Sequence, residues 1–222
     1  MAAAIALENV TAGYGGKPVV QYISLQIEAG ERVAIMGRSG AGKSTLINLI
    51  YQSCAERAAL MPQASALVAN LSVFHNVFMG RLDRHRALYN LRTLIWPPAA
   101  EVEAVSQVLS AVGLSDKIFA KAGELSGGQQ QRASAARALY NGRPILLGDE
   151  PVSALDRVQA GEVLRLLSAR HQTKIFALHD TRLALEHTAR VILLEQGRIV
   201  LDEPAKRLSY ERLFPFFEGE LV

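Results

Sequence analysis

The sequence predicts an α/β fold: a mostly parallel sheet flanked by helices, with an antiparallel β part at the N-terminus and a helical region inserted mid-chain. Three observations predict it. A glycine-rich segment at residues 37–45 stands between a short apolar run and a helical pattern. Residues 5–10, and in part residues 19–27, alternate apolar and polar side chains, as half-buried strands do. Residues 71–123 instead repeat their apolar positions at helical spacing.

Taken in order, residues 5–10 read as a first strand, residues 11–18 as a turn cluster, and residues 19–27 as a second strand. Tyr14 lies in that glycine-rich turn and could either pack over a strand edge or offer a ring for a base to stack on. Ala29, Gly30 and Glu31 turn the chain into a buried strand at residues 31–36. Then come Gly37, Arg38, Ser39, Gly40, Ala41, Gly42, Lys43, Ser44 and Thr45, which match G-x-x-x-x-G-K-[ST]. Glycines there let successive backbone N–H groups face an anion, and the following helix, read at residues 46–50, adds its positive end. Lys43 would reach the β- and γ-phosphates of a nucleotide, and Ser44 would place a hydroxyl on Mg²⁺.

Residues 58–63 read as a short strand ending at Gln63, whose carbonyl could ligate Mg²⁺ or orient water. Val73, Phe74, Val77 and Phe78 share one helical face, and Val102, Val105, Val108, Leu109 and Val112 another, which Gly113 ends. Between them, the arginines at 81, 84 and 86 read as a solvated face, and Trp96, before two prolines, as a packing anchor. At residues 125–132, Ser126 and Gln129 have the spacing of a capping box. Gly127 and Gly128 weaken a helix start but permit close approach to a phosphate, so this is a second possible anion site.

Residues 144–148 form an apolar run closed by Asp149 and Glu150. An aspartate at such a strand end holds Mg²⁺ in phosphate-loop proteins, and Glu150 could then polarise water. A helix with Val158, Val163, Leu166 and Leu167 follows, then a strand at residues 174–178 ending in His179. By itself His179 reads as a satisfied strand-end histidine. Residues 191–201 read as a closing hairpin, and Asp202, Glu203 and Pro204 as the start of a terminal helix.

Composition sets limits. With 222 residues and one phosphate-loop match, one nucleotide-binding unit is expected. The net charge of +3 and the lack of a dense basic block do not suggest nucleic acid as a partner. The single cysteine, Cys54, cannot form an internal disulfide and reads as a small apolar residue. No apolar run approaches a membrane span, and residues 1–8 lack the features of a signal peptide, so the expected location is cytoplasmic.

Together and in order, these elements resemble the ATP-binding cassette (ABC) family over nearly the whole chain. The pair formed by the phosphate loop and Leu125-Ser126-Gly127-Gly128-Gln129, the family signature, is very specific. The resemblance implies a P-loop NTPase core in one domain, residues 1–222, with a helical subdomain at residues 71–141. It implies that Tyr14 stacks on adenine, that Gln63 belongs to the Q-loop that senses a membrane partner, and that Asp149, with Ser44 and Gln63, holds Mg²⁺. Glu150 would be the catalytic glutamate, residues 153–156, ending in Asp156, the D-loop, and His179 the switch histidine. Two cassettes would face head to tail, each nucleotide being closed over by Ser126, Gly127 and Gly128 of the other copy. The cofactors implied are ATP and Mg²⁺. The partners are a second ATPase subunit, a transmembrane permease and, indirectly, a solute-binding protein, at the cytoplasmic face of the membrane.

Two features depart from the family pattern. The span from Ser44 to Gln63 is much shorter than usual, and Gly148 stands where an apolar side chain is usual. Within the family, residues 76–82, the arginine-rich loop, the proline pair and Gln129-Gln130-Gln131-Arg132 resemble the phosphonate-import ATPases. The alternatives are an exporter or lipoprotein-release ATPase and a soluble non-transport cassette. A GTPase would want an Asn-Lys-x-Asp motif, and no asparagine here precedes lysine.

Overall fold

A computed structural model of the chain describes residues 3–217. Strands β1 (Ala3–Tyr14) and β2 (Lys17–Glu28) pair antiparallel as a two-stranded sheet. The turn between them is shorter than the sequence suggests: only Gly15 and Gly16 lie outside the strands. The other sheet has six strands: β3 (Arg32–Met36), β4 (Ala58–Met61), β5 (Ile145–Asp149), β6 (Thr173–Ala177), β7 (Arg190–Glu195) and β8 (Arg198–Pro204). Their order is β4-β5-β6-β3-β7-β8, parallel throughout except for the β7–β8 hairpin.

Successive side chains of a strand point to opposite faces, and this divides the core. Val33, Ile35, Leu147, Ile175 and Ile192 face β1, β2 and helix α1 (Lys43–Cys54), meeting Ile23, Ile27, Leu46 and Ile50. Ala34, Met36, Leu146, Phe176 and Leu193 face the other helices. Both faces are dry, which is why these strands read as near-continuous apolar runs. Each fully buried Leu, Ile or Phe contributes about 1.5–3 kcal/mol.

Between β4 and β5 lie α2 (Val73–Phe78), α3 (Ala87–Ile95), α4 (Ala99–Ala111) and α5 (Gly127–Asn141). Helices α2 and α4 pack on α5 through Phe74, Val77, Val105, Leu109, Ala133 and Ala136. The helical pattern of residues 71–123 is broken in places: Met79–Arg84 is a 3-10 turn, and Ser72 bridges Lys121 as a short antiparallel contact. The arginines are not all solvated. Arg81 lies over the Tyr140 ring and donates to the Tyr140 carbonyl, and Arg84 donates to the Asn141 carbonyl. These two cations meet carbonyls at the C-terminal end of α5, where the helix dipole favours them.

Trp96 is not a packing anchor: it is 75% exposed, next to Ile95 at 77% and Leu88 at 82%. Helix α3 therefore shows an uncovered apolar face. Val158, expected among the apolar positions of α6 (Arg157–Arg170), also faces outward. The chain continues through α7 (Thr181–His187), and β8 runs on through Asp202 and Glu203 to Pro204, so the terminal helix does not begin there. A 3-10 turn at Ala205–Arg207 and α8 (Tyr210–Leu213) follow. Residues 1–2, part of the segment read as lacking a signal sequence, lie outside the described residues.

The short span after Ser44 has a simple form. α1 leads through one 3-10 turn, Ala55–Arg57, straight into β4, and among the described residues the antiparallel sheet has two strands. At Gly148, a Cβ would sit 2.9 Å from the Phe176 ring and 2.9 Å from Pro151 Cγ. The volume an apolar side chain would fill is taken by Phe176 from the neighbouring strand, so the substitution is accommodated.

Candidate active site

Parallel register brings the C-terminal ends of β3, β5 and β6 level: Ile35 and Asp149 both pair with Ala177. The segments that follow these strands carry residues 37–45, Glu150 and His179, so three stretches distant in sequence meet at one sheet edge. Such an edge is where open α/β sheets bind ligands.

The loop from Gly37 to α1 has Gly42 as the helix N-cap at φ 104°, a left-handed conformation that a glycine adopts without strain. A Cβ at Gly42 would also lie 2.8 Å from Val20 Cγ1, so β2 closes the loop from behind. No side chain caps α1, whereas Ser126, Asp156 and Asp180 cap α5, α6 and α7. No side chain therefore competes with an anion for the N-terminal end of this 12-residue helix. Lys43 is 6% exposed and donates to the Gly37 carbonyl (2.8 Å) and the Arg38 carbonyl (3.1 Å). Arg38, Ser39 and Gly40 are exposed, while Ala41 and Thr45 are buried. A cavity of about 370 Å³ opens against residues 38–41, with Phe216 among its walls.

Asp149 ends β5 and is buried. Burial raises its carboxyl above the usual aspartate range; the Ser44 hydroxyl, hydrogen-bonded to it, and the charges of Lys43 and His179 oppose that rise. Its Oδ1 has no hydrogen-bond partner. A buried carboxylate oxygen left unpaired is costly, and a hard cation shared with the Ser44 oxygen would satisfy it. The donor set therefore fits Mg²⁺. Glu150 follows at φ 53°, unusual for a side chain with a Cβ, and its backbone N–H is held by the Ala177 carbonyl at 3.1 Å. His179 Nε2 and Glu150 Oε1 are 2.6 Å apart, a hydrogen bond in which the ring N–H donates to the carboxylate.

The remaining predicted residues surround this centre at differing removes. Tyr14 pairs with Lys17 at the hairpin tip and is 67% exposed, so its ring is free to stack. The hairpin is tied beside the loop, because the Gln21 N–H donates to the Gly197 carbonyl (2.9 Å) and the Gly197 N–H to the Ala41 carbonyl (3.1 Å). Gln63 is exposed and lies two residues beyond β4, whose Met61 pairs with Gly148. The register carries it to the edge beside Glu150, and no hydrogen bond among the described residues joins it to Ser44 or Asp149. Asp156 caps α6, its carboxylate accepting from the Val158 and Gln159 N–H groups at 3.0 Å each. Ser126 and Gln129 form the reciprocal capping box that their spacing predicts, and Ser126 and Gly127 face outward.

One polar residue at this centre was read only as part of a subfamily pattern. Gln131, buried on α5, hydrogen-bonds the turn after Glu150. Its signal is positional: a glutamine on the same helix face as Ser134, Ala135 and Ala138, all buried.

Comparison with known proteins gives concordant likenesses. The family profile described as ABC transporter matches residues 20–153. The phosphonates import ATP-binding protein PhnC of Pseudomonas putida is 38% identical over 195 residues, covering 77% of this chain and 72% of that protein. The macrolide export ATP-binding/permease protein MacB of Bartonella henselae is 35% identical, over 77% of this chain and 29% of that larger protein. Among solved structures, a dimeric post-hydrolysis state of the ATP-binding cassette MJ0796 bound to ADP and Pi superposes with a TM-score of 0.75 at 26% identity. It covers 90% of this chain and 98% of that one.

Proposed function

Because the chain belongs to the ABC transporter family, we propose that it is the ATP-hydrolysing subunit of an importer, driving uptake of a phosphonate or related phosphorus oxyanion through a separate permease. The observation that carries the hydrolytic part is the meeting of the Lys43 loop, Asp149 and the Glu150–His179 pair at one sheet edge. Residues 37–45 hold the phosphates by backbone N–H groups and Lys43. Ser44 and Asp149, with Gln63, would hold Mg²⁺, which would neutralise charge developing on the phosphates. Glu150 takes hydrogen-bond hold of the attacking water and draws off its proton as the bond between the γ-phosphorus and the bridging oxygen breaks. His179 fixes the Glu150 carboxylate through the 2.6 Å bond. Tyr14 stacks on the adenine.

Residues 1–222 are read as one domain with a helical subdomain at residues 71–141. Ser126, Gly127, Gly128 and Gln129 close over the nucleotide of a second copy, with Asp156 in the D-loop at the same interface. Ser126→Arg tests this: it is expected to leave nucleotide affinity largely intact, by fluorescent-nucleotide titration, while turnover is lost. Loss of affinity instead would show that the signature does not act across a dimer.

No helix among the described residues is long and apolar enough to cross a membrane, and we assign that crossing to the permease. The uncovered apolar face of α3 continues into a cavity of about 330 Å³ lined by Leu71, His75, Phe78, Leu82, Leu91 and Leu94. This is the surface we assign to the permease, at the cytoplasmic side of the membrane. The importer reading follows the PhnC likeness, and the MacB likeness at similar identity supplies the competing exporter reading. Reconstitution with a phosphonate permease decides between them: uptake of a phosphonate into vesicles supports import, and ATP-driven extrusion alone overturns it.

A further inference from the structure

We propose that Gln131 is a positioning residue for Glu150, locking the strained turn that carries the glutamate to the helix that begins with the signature. The proposal rests on the reading of Glu150 given above and goes beyond it by assigning what holds Glu150 in place.

Gln131 lies one turn inside α5 and is 8% exposed, so its amide must find partners within the protein. All of them lie on one short segment. Nε2 donates to the Glu150 carbonyl at 2.9 Å and to Ser153 Oγ at 3.2 Å, and Oε1 accepts from the Ala154 N–H at 2.7 Å. Ser153 Oγ in turn donates to the same Glu150 carbonyl at 3.2 Å. The segment is gripped a second time at the start of the helix: a Cβ on Gly128 would lie 3.2 Å from the Ala154 carbonyl oxygen and 3.3 Å from Leu155 Cδ2.

A buried glutamine bridging a helix and a loop commonly serves stability alone. Here one bond lands on the backbone of Glu150 itself and the other two on the turn that follows it; Glu150 sits at φ 53°, a conformation that persists only if its surroundings over-determine it. Its N–H is pinned by Ala177 of β6, and its carbonyl by Gln131 and Ser153. With both flanking peptide planes set, the side chain leaves the turn in one direction and meets His179. Without the Gln131 bond the second plane is held only by Ser153, three residues on in the same turn, and no longer by a helix. A displacement of about 1 Å at such a group costs on the order of a hundredfold in rate. The same helix presents Ser126–Gly128 at its first turn, so Gln131 makes the signature and the glutamate parts of one body. A change of pose at one nucleotide is then felt at the base acting on the other.

The test uses Gln131→Leu, which keeps the volume and removes all three bonds. It also uses Gln131→Glu, which keeps the acceptor for Ala154 and removes the donor to Glu150. Turnover, KM for ATP, fluorescent-nucleotide affinity and the urea midpoint are read on the full chain. The expected result is a fall in kcat of about 10- to 100-fold with nucleotide affinity within about twofold of wild type. In a Glu150→Gln background, Gln131→Leu is expected to cause no further fall in residual turnover, since it acts through Glu150. Wild-type kcat in Gln131→Leu overturns the proposal. So does an equal fractional loss in both backgrounds, which marks a general structural role. If Gln131→Leu does not fold, the same readings on Gln131→Glu decide. Wild-type turnover in Glu150→Gln alone would instead refute the underlying reading of Glu150, a result distinguishable from either.

Discussion

Replacing Lys43 by alanine is expected to abolish ATP turnover and to weaken nucleotide binding by roughly a hundredfold or more. Lys43 has two jobs that alanine cannot share. Its ammonium would pair with phosphate oxygens, and each charge-assisted hydrogen bond there is worth about 1.5–3 kcal/mol. It also donates to the Gly37 and Arg38 carbonyls, tying the two ends of the loop together. Alanine removes the cation and leaves both carbonyls to find other donors, so the loop loses the shape in which its N–H groups converge. Isothermal titration with nucleotide and a phosphate-release assay measure the two effects. Unaltered turnover would sink the assignment of residues 37–45 as the phosphate site.

Glu150→Gln is expected to separate binding from chemistry. The amide keeps the size of the carboxylate and can still hydrogen-bond His179, so the pocket is preserved. It cannot accept a proton from water, and hydrolysis should fall by about 10²- to 10⁴-fold, the usual contribution of a general base. ATP that binds and is not consumed should then hold two chains together through the signature. Light scattering at saturating ATP and Mg²⁺ should give twice the monomer mass, falling back when nucleotide is removed. Driving such an equilibrium from nearly open to nearly closed needs about 5.5 kcal/mol of differential binding. A variant that stays monomeric would count against the two-copy cage, and one that turns over at the wild-type rate against Glu150 as base.

Much of this was legible because the chemistry is written in contiguous stretches. The phosphate loop, the capping box and the acidic strand end each carry their own signal within a few residues. The central strands were legible because both faces of the large sheet are dry there, which turns alternation into continuous apolar runs. What escaped did so for identifiable reasons. Trp96 beside two prolines has the composition of a buried anchor, and sequence does not say which apolar face a short helix leaves uncovered. Arg81 read as solvated because its partner is a carbonyl at the end of α5, invisible in any side-chain pattern. The strands meeting at Gly15 and Gly16 were cut short because Gly13 and Pro18 suggest a wider turn. Gln131 was read only within a subfamily pattern because its partners, two backbone groups and the Ser153 hydroxyl, lie on a loop that only the packing of α5 brings near.

The strand order has a consequence for how the molecule is born. β3, which launches the phosphate loop, is flanked by β6 and β7, so its neighbours leave the ribosome only after β4, β5 and the helices between them. Until they arrive, β3 has both edges open and nothing to pair with in its own sheet. Nascent chains at that stage present an apolar strand suited to mispairing, the kind of surface that chaperones cover. The binding loop is therefore encoded early and assembled late: vectorial synthesis delays nucleotide capture until the closing strands of the sheet have been made.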